Sequence, residues 1–404
     1  MSLCINPLLL KFFMKIDELI TPAALVDGSV LRRNIERMAE LCARIGVQLR
    51  PHVKSHNYPE IAKMQMAAGA KGITVATLRE AELMIQSGIK DIFIAREIVD
   101  FAGLRRLAEL TKSARMNVAV DSAEGVRRLS QIMTEAQTRV GVLIEIDTGG
   151  RRCGISSDDE ICALARLAKN SAGIEWRGIF THEGHVYSAS SREEMMKISA
   201  EVVGRMSELC GILTEKQMAP QVVSIGSSPS LKLLSGRQAV TEARPGNYVF
   251  NDAMQLANGS ARLEDCALKV MATVISKSGQ DRVVLNVGSK LLGSDRGNKI
   301  SDSGGYGLVC DPLPGGVRDL SLRSDCAKGE AGGGFAADAS RITKIYEEHA
   351  VLAEGIEKLA VGQNVIFIPS HACMAANLAR EVYLTDAAGN VIDCWSNRKM
   401  QNVE

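Results

Sequence analysis

The sequence has 404 residues and a formal net charge of +1, with 46% hydrophobic and 24% charged residues. This balance is typical of a soluble globular protein, and the length predicts two domains or one barrel with an added domain. There is no basic excess to attract nucleic acid or an anionic membrane, and no apolar run reaches the roughly 20 residues that span a bilayer.

The N-terminal fifteen residues contain a short apolar stretch, residues 7–14, which is expected to be an extension or a first strand. A signal peptide needs basic residues before its apolar segment and a small-residue cleavage site after it. Here Lys11 and Lys15 lie inside and behind the stretch. The ten cysteines include no CxxC pair, and disulfide frameworks belong to small cysteine-dense secreted chains. Reduced thiols and a cytoplasmic location are therefore expected.

From residue 47 to residue 243, short β-branched runs alternate with amphipathic helical stretches. Strands are predicted at residues 47–53, 72–76, 91–95, 117–120, 142–147, 177–181, 222–225 and 240–243. Helices are predicted at residues 58–69, 77–88, 101–113, 123–137, 158–170, 192–215 and 229–235. Such alternation implies a parallel sheet. Eight units predict an α/β fold, a (β/α)8 TIM-type barrel over residues 21–265, with a doubly wound open sheet as the alternative.

After about residue 265 the pattern changes to short strands separated by loops rich in Gly, Pro and Asp. Strands are predicted at residues 267–276, 282–287, 350–352, 364–368 and 382–385, with loops that include residues 297–307 and 327–334. Few long helices are expected here, so residues 266–404 are predicted to form a mostly β second domain. The early strand at residues 23–27 is expected to join it, through an N-terminal segment of residues 1–27.

The first barrel strand ends in the sequence RPHVKSHN, residues 50–57. In a barrel, side chains at the C-terminal ends of the strands face the active site. Lys54 therefore stands where an amine can react with the aldehyde of a small molecule. Taken alone, a lysine at the end of a strand is more often a solvated surface charge.

Three features near the N terminus carry a family resemblance: TPAALVD at residues 21–27, Asn34, and RPHVKSH at residues 50–56. They resemble the opening of the D-threonine aldolase and D-serine dehydratase family. These are alanine racemase-like, fold-type III enzymes that use pyridoxal 5'-phosphate (PLP), and the resemblance covers nearly the whole chain from Thr21. It implies that Lys54 holds the cofactor.

The segment EIDTGGRRCG, residues 145–154, follows the fifth barrel strand and resembles the family's ExDxGxxRxG segment. The resemblance implies that Arg152 meets the pyridine nitrogen of PLP. An arginine does not readily give up its proton, so the ring nitrogen would stay unprotonated. The ring is then a weaker electron sink than one that faces a carboxylate, and the reaction needs help from another group.

Two further segments are interpreted as the phosphate site. SIGSSPS, residues 224–230, follows the seventh strand, where small residues let backbone N–H groups approach an anion. TEARPGNYVFND, residues 241–252, resembles the family's RPGxYxFxD segment. The phosphate-binding residues predicted from these segments are Gly226, Ser227, Ser228 and Tyr248.

The segment FTHEGHVY, residues 180–187, resembles the family's YxGH stretch after the sixth strand. His185 is the matching histidine and is a candidate catalytic base, although a lone barrel histidine can equally be structural. His182 stands where a tyrosine is expected, so its role is open.

A candidate metal pair lies near the C terminus in PSHACMAANL, residues 369–378. In an extended segment, residues two apart point to the same side, so His371 and Cys373 can share one ion. Imidazole and thiolate favour zinc. A single HxC occurs often by chance, but this one sits where the resembling family has an HxC or HxD metal pair.

Two neighbouring segments are less informative. ITKIYEEHAVL resembles the family's EEH segment, and His349 is expected to line the site or to orient a ligand. NVGSKLLGSDRG resembles a segment that usually opens with aspartate, so Asn286 departs from the pattern. Ordinary loop structure is the favoured interpretation for Lys290 and Asp295.

These residues predict a PLP- and metal-dependent lyase that performs β-elimination on a D-β-hydroxy amino acid. Lys54, once released from the cofactor, would remove the α-proton, and a metal on His371 and Cys373 would make the β-hydroxyl a better leaving group. D-serine, giving pyruvate and ammonia, is the simplest substrate. D-threo-3-hydroxyaspartate fits the same branch of the family.

Several alternatives stay open. A D-threonine-type aldolase would use the same site, with the metal on the β-hydroxyl and His185 as the base, to give glycine and an aldehyde. Cysteine at position 373 resembles the dehydratase branch. The non-enzyme alternatives are a PLP-binding protein without turnover and a barrel-based structural protein. Racemisation needs an acid on each face of the α-carbon and no metal. The expected partners are a small D-amino acid and a second copy in a homodimer.

Overall fold

The computed structural model describes residues 14–234, 239–279, 282–296, 305–312, 341–353, 356 and 359–396. Most of the predicted N-terminal stretch at 7–14, most of the predicted loop at 297–307, and the whole predicted loop at 327–334 lie outside these residues. Within them, no helix combines the length and the apolar character that a membrane crossing requires.

The chain divides into two compact units. The barrel unit contains residues 36–246, and the β unit contains the described residues before 36 and after 246. The boundaries predicted from the sequence, 21–265 and 266–404, stay a prediction.

The structure contains the following strands and helices in its described residues. In chain order the strands are β1 (Ala23–Asp27), β2 (Gln48–Leu49), β3 (Ile73–Val75), β4 (Asp91–Glu97), β5 (Arg115–Val120), β6 (Val140–Glu145), β7 (Ile174–Phe180), β8 (Val222–Ile225), β9 (Glu242–Ala243), β10 (Leu268–Ser278), β11 (Arg282–Leu285), β12 (Gly307–Pro312), β13 (Ile342–Ile345), β14 (Ala350–Leu352), β15 (Asn364–Pro369), β16 (Glu381–Thr385) and β17 (Val391–Ser396). The α-helices are α1 (Gly28–Ile45), α2 (Pro59–Ala67), α3 (Leu78–Gln86), α4 (Phe101–Thr111), α5 (Ala123–Glu135), α6 (Asp158–Asn170), α7 (Arg192–Glu215), α8 (Ser228–Leu233), α9 (Ala253–Ala257), α10 (Ser289–Leu292) and α11 (Ala372–Leu378).

The barrel unit is built on eight parallel strands in the order β2-β9-β8-β7-β6-β5-β4-β3. The two end strands approach each other, because the Lys71 N–H donates to the Leu49 carbonyl at 2.8 Å and the Thr74 N–H to the Pro51 carbonyl at 2.8 Å. These bonds close the sheet into a barrel. The predicted (β/α)8 fold is therefore confirmed, and the open doubly wound sheet is excluded.

The sequence explains why these elements form. All six residues of β6 are buried, as expected for a strand covered on both faces. Helices α3, α5 and α6 each begin at a side-chain cap, since the hydroxyls of Thr77, Ser122 and Ser157 accept from the backbone N–H three residues later. Such caps satisfy orphan donors and fix where each helix starts after its loop.

The barrel interior includes a small apolar cluster drawn from four neighbouring strands. Its members are Phe93, Ala119, Leu143 and Phe180. The rings of Phe93 and Phe180 meet edge to face, with centroids 5.0 Å apart, an arrangement that aromatic quadrupoles favour. The cluster packs the space beneath the C-terminal ends of the strands.

The β unit contains a nine-stranded sheet with the path β13-β14-β11-β10-β1-β16-β17, to which β15 and β12 add beside β10. β1 pairs antiparallel with β10 and parallel with β16. One apolar cluster of this unit is formed by Ile16, Leu19, Ala23, Leu25, Met271, Ile366 and Val391. The mostly β character predicted for the C-terminal region is confirmed.

Candidate active site

A cavity of about 280 Å³ opens at the C-terminal ends of the barrel strands. It is lined by four cationic side chains, two imidazoles, two carboxylates and several small or apolar residues. They are Lys54, Arg96, Arg152 and Arg244; His52 and His182; Glu97 and Glu145; and Ala76, Ala95, Cys153, Phe180 and Gly226. Of the residues predicted for the site, Lys54, Arg152 and Gly226 line this cavity together.

Lys54 lies in a short 3-10 turn, Val53–Ser55, immediately after β2. The hydroxyl of Ser55 anchors this turn by hydrogen bonds to the carbonyl of His52 at 3.0 Å and that of Gly246 at 3.1 Å. The Lys54 side chain is exposed while the residues that flank it are buried. A fixed backbone thus presents an accessible amine to the cavity.

His52 lies beside this amine. Burial, and then the positive charge of Lys54, hold the pKa of His52 well below its usual range. The ring is therefore neutral at neutral pH, so the positive charge of the cavity comes from Lys54 and the three arginines.

Two of the three arginines that line the cavity, Arg152 and Arg244, differ in burial and in their hydrogen bonds. The Arg152 side chain is 59% exposed, and its guanidinium lies 3.5 Å from the Glu145 carboxylate. Arg244 is 2% exposed. It donates to the Thr181 carbonyl at 2.6 Å and to the Ser224 hydroxyl, so its guanidinium is held rigidly.

Sequence reasoning missed Arg244. The guanidinium lies over the Phe180 ring at 5.0 Å and over the Phe93 ring at 5.7 Å, contacts that favour a cation. A Cβ atom at Gly226 would come within 2.9 Å of it, so a glycine is needed there. The available signal was the RPG sequence that directly follows the eighth barrel strand, where side chains reach the active site.

A cluster of acidic groups and a thiol forms another wall of the cavity. Glu97 ends β4, and ligand atoms of Glu97, Asp121 and Cys153 lie within 4.8 Å of one another. Burial, and then the neighbouring Glu145 charge, raise the pKa of Glu97 to about 8. One of the two glutamates therefore carries a proton at neutral pH. This cluster was not predicted from the sequence.

The predicted phosphate residues play different roles in the structure. Ser227 is the N-cap of α8, because its hydroxyl accepts from the Ser230 N–H at 3.2 Å. The Gly226 N–H donates to a carboxylate oxygen of Glu183 at 3.0 Å. The Ser228 hydroxyl is buried with no hydrogen-bond partner. A buried orphan donor fits an anion such as a phosphate. Tyr248, in the β unit, is 2% exposed.

The two histidines of the segment FTHEGHVY, His182 and His185, lie in different surroundings. His182 lines the cavity, and its Nδ1 donates to the Gly226 carbonyl at 3.2 Å. Burial lowers the pKa of His182 to about 4, so it is a neutral ring. His185 is not among the residues that line the cavity. It lies against the turn of Gly149 and Gly150, with its Nδ1 buried and without a hydrogen bond.

The predicted metal pair is not in an extended segment. His371 is the N-cap of α11, and Cys373 lies in the first turn of that helix. The expectation of an extended strand or loop is therefore wrong. Cys373 still lies close enough to His371 to help raise the pKa of that imidazole to about 10, against the opposite effect of burial. One imidazole nitrogen and one thiol near each other form a donor set that suits zinc.

Other residues of the β unit have structural roles. The Asn286 side chain accepts from the Thr273 N–H at 2.7 Å and donates to the Thr21 carbonyl at 3.1 Å, so it joins two segments of the sheet region. Lys290 pairs with Glu348 at 2.8 Å. His349 is exposed.

Two family models match this chain. "Alanine racemase, N-terminal domain" matches residues 26–253, which is more than half of the chain. "Putative serine dehydratase domain" matches residues 267–385.

The chain is similar to D-threo-3-hydroxyaspartate dehydratase of Delftia sp. (strain HT23), with 31% identity over 93% of this chain and 96% of the relative. It is 34% identical to D-threonine aldolase of Arthrobacter sp. over 67% of this chain and 72% of that relative. The crystal structure of D-threonine aldolase from Filomicrobium marinum superposes with a TM-score of 0.84 and 27% identity, covering 97% of this chain and 98% of that one. The chain therefore belongs to the alanine racemase-like family that includes the D-serine dehydratases and D-threonine aldolases, which are lyases.

Proposed function

We propose that this protein is a PLP- and metal-dependent lyase that eliminates water from a D-β-hydroxy amino acid. D-serine is the simplest substrate: loss of water and hydrolysis of the resulting imine give pyruvate and ammonia. The observation that carries the proposal is the position of Lys54. Its accessible amine lies in the mouth of a closed barrel, in one cavity with three arginines, two imidazoles and a glutamate pair.

Residues of the barrel unit fit PLP. Lys54, in the cavity, would supply the amine that holds the aldehyde carbon, and the buried hydroxyl of Ser228, two residues after the cavity residue Gly226, would supply an orphan donor for the phosphate. When bound, PLP withdraws electrons from the α-carbon and so lowers the barrier to removal of the α-proton. The amine of Lys54 would accept that proton at Nζ.

Two arginines are candidates for the ring nitrogen. The family resemblance implies Arg152, whereas the burial and the fixed hydrogen bonds of Arg244 favour Arg244. Either choice leaves the ring nitrogen unprotonated, because guanidinium only donates. The weak electron sink that results requires a second activating group.

We propose that a divalent metal on His371 and Cys373 provides this activation. His371 and Cys373 would supply two ligands to such a metal, an imidazole nitrogen and a thiolate sulfur. Polarisation of the β-hydroxyl makes hydroxide a better leaving group. Nitrogen and sulfur ligands favour zinc over manganese or magnesium.

A D-threonine-type aldolase is the second candidate, supported by the aldolase relatives. In that reaction a base removes the β-hydroxyl proton, and glycine and an aldehyde leave. His185 is the base that the sequence indicates, and its buried Nδ1 lacks a hydrogen bond. Cysteine at position 373 favours the dehydratase. A PLP-binding protein without turnover is the non-enzyme alternative.

A panel of substrates separates these functions. The purified protein, with PLP and Zn²⁺, is incubated with D-serine, D-threo-3-hydroxyaspartate and D-threonine, and the products are identified by mass spectrometry. We expect a 2-oxo acid and ammonia from D-serine or D-threo-3-hydroxyaspartate. Glycine and acetaldehyde from D-threonine, with no 2-oxo acid from any substrate, would assign the aldolase. Bound PLP with no product would favour the non-catalytic protein.

We further propose that the protein works as a cytoplasmic homodimer. The resemblance to alanine racemase-like enzymes supports the dimer, and the absence of a CxxC pair or a cysteine-dense framework supports a reducing compartment. Light scattering coupled to size exclusion would show a mass of about twice 43.5 kDa for a dimer.

A further inference from the structure

We propose that Asp295 is a positioning residue for the metal pair: its carboxylate fixes the tautomer and the orientation of the His371 ring. This inference rests on the proposed metal site at His371 and Cys373. Asp295 lies 76 residues before His371 in the chain, and its Oδ2 is 2.6 Å from Nδ1 of His371. From the sequence alone, ordinary loop structure is the favoured interpretation for Asp295.

The hydrogen bond determines which nitrogen can bind a metal. A carboxylate accepts and does not donate, so the Nδ1 of His371 carries the hydrogen. An imidazole that binds a metal is neutral and has one N–H. With Nδ1 held by Asp295, the lone pair that can bind a metal is on Nε2. The carboxylate thus selects Nε2 as the metal-binding nitrogen.

The Cys373 side of the pair is held by a matching polar partner. The amide of Asn247 donates to the Cys373 sulfur at 3.6 Å and to the Asp252 carboxylate at 2.5 Å. Asp252 is fully buried and also accepts from the Ala372 N–H at 2.9 Å. The first turn of α11 is therefore held by these buried polar contacts, and Asp295 adds a contact to the His371 ring.

A merely structural ion pair predicts a different result from a positioning role. The side chains of His371 and Asp295 are 26% and 47% exposed, and exposed pairs contribute little to stability. Loss of the Asp295 carboxylate should therefore leave the fold intact. It should weaken metal binding, since outer partners of ligating histidines typically set affinity by about 10- to 100-fold.

The test compares Asp295→Ala and Asp295→Asn with the wild-type PLP-loaded protein. Asp17→Asn serves as the control, because Asp17 is an exposed carboxylate of the same unit. Zn²⁺ affinity is measured by competition with a chromophoric chelator. We expect Asp295→Ala to bind Zn²⁺ about 10- to 100-fold more weakly, Asp295→Asn to lose less because its amide oxygen still accepts, and Asp17→Asn to match the wild type.

Two further readouts make the outcome decisive. With Co²⁺ in place of Zn²⁺, the thiolate-to-metal absorption of Cys373 should persist in Asp295→Ala while the ligand-field bands shift. The melting temperature of the metal-free protein should stay unchanged. Unchanged Zn²⁺ affinity in Asp295→Ala, or a fall in the metal-free melting temperature that accounts for the loss, would overturn the positioning role.

The inference can fail separately from the proposed function. If His371→Ala and Cys373→Ala abolish Zn²⁺ binding while Asp295→Ala does not, the metal site stands and the role of Asp295 is refuted. If His371→Ala and Cys373→Ala retain the affinity of the wild type, the proposed metal site itself is refuted.

Discussion

Burial decides how the charged side chains of the barrel cavity act. Arg244 is buried against two aromatic rings and held by hydrogen bonds, whereas Arg152 is mostly exposed and lies near Glu145. A rigid cation can hold one position of a ligand without losing rotamer entropy on binding, while a mobile one must be ordered. This difference is a property of the folded chain, which a sequence motif does not reveal.

Glu97 makes the stability of the apoprotein depend on pH. Its pKa rises from an ordinary 4.5 to about 8 in the folded state, mainly through burial. A group whose folded-state pKa is raised stabilises the fold fully below pH 4.5, and this contribution is lost as pH rises toward 8. Glutamine does not ionise, so Glu97→Gln should remove this loss of stability between pH 4.5 and pH 8.

The measurement is the melting temperature of the metal-free, PLP-free protein at pH 5, 7 and 9. The melting temperature of Glu97→Gln, relative to that of the wild type, should increase as pH rises. Glu215→Gln, an exposed change on α7, should differ from the wild type by a constant amount. A constant difference for Glu97→Gln as well would show that Glu97 is not the titrating group.

At the scale of elements, glycine lets neighbouring strands of the barrel approach. Gly178 in β7 has φ +146°, and a Cβ there would lie 2.0 Å from the Val222 carbonyl oxygen of β8. Gly178→Ala should destabilise the protein by about 3 kcal/mol, since it combines backbone strain with a backbone clash. Gly204→Ala, in the middle of α7 with no atom within 4 Å, should stabilise it by roughly 0.5–1 kcal/mol.

Urea denaturation followed by circular dichroism measures both variants. Equal midpoints for Gly178→Ala and the wild type would contradict the close packing of β7 on β8. The Gly204→Ala variant shows whether the assay detects a change of glycine to alanine that introduces no clash.

The barrel elements were predictable because their apolar runs are long enough to be buried on both faces. All eight strands and all seven helices predicted for the barrel correspond to β2–β9 and α2–α8. The sequence patterns do not predict α1 or the strands β12, β13 and β17. The last three are short and mix polar with apolar residues, so their pairing depends on partners elsewhere in the chain.

The candidate site was predictable only where the residues that act together stand close to each other in the sequence. Lys54, and the pair His371 and Cys373, each stand in a recognisable motif. Asp295 does not, because its hydrogen bond to His371 joins segments far apart in the chain. An HxC spacing suits a strand, so the sequence predicts an extended segment where the structure has α11. The N-cap position of His371 depends on how the chain turns after β15, which the spacing does not reveal.

At the scale of the whole molecule, the two proposed chemical tasks fall to two units. Lys54, the proposed cofactor amine, belongs to the barrel unit, and His371 and Cys373, the proposed metal ligands, belong to the β unit. Loss of either component should therefore abolish turnover while the other component stays bound. This separation distinguishes a metal-dependent elimination from a reaction that PLP performs alone.

The most direct test is pyruvate formation from D-serine, measured together with the PLP and zinc content of the same protein. We expect EDTA to abolish pyruvate formation while PLP stays bound, and added Zn²⁺ to restore it. Lys54→Ala should abolish pyruvate while zinc stays bound. Undiminished pyruvate after complete removal of the metal, or from Lys54→Ala, would contradict the central claim.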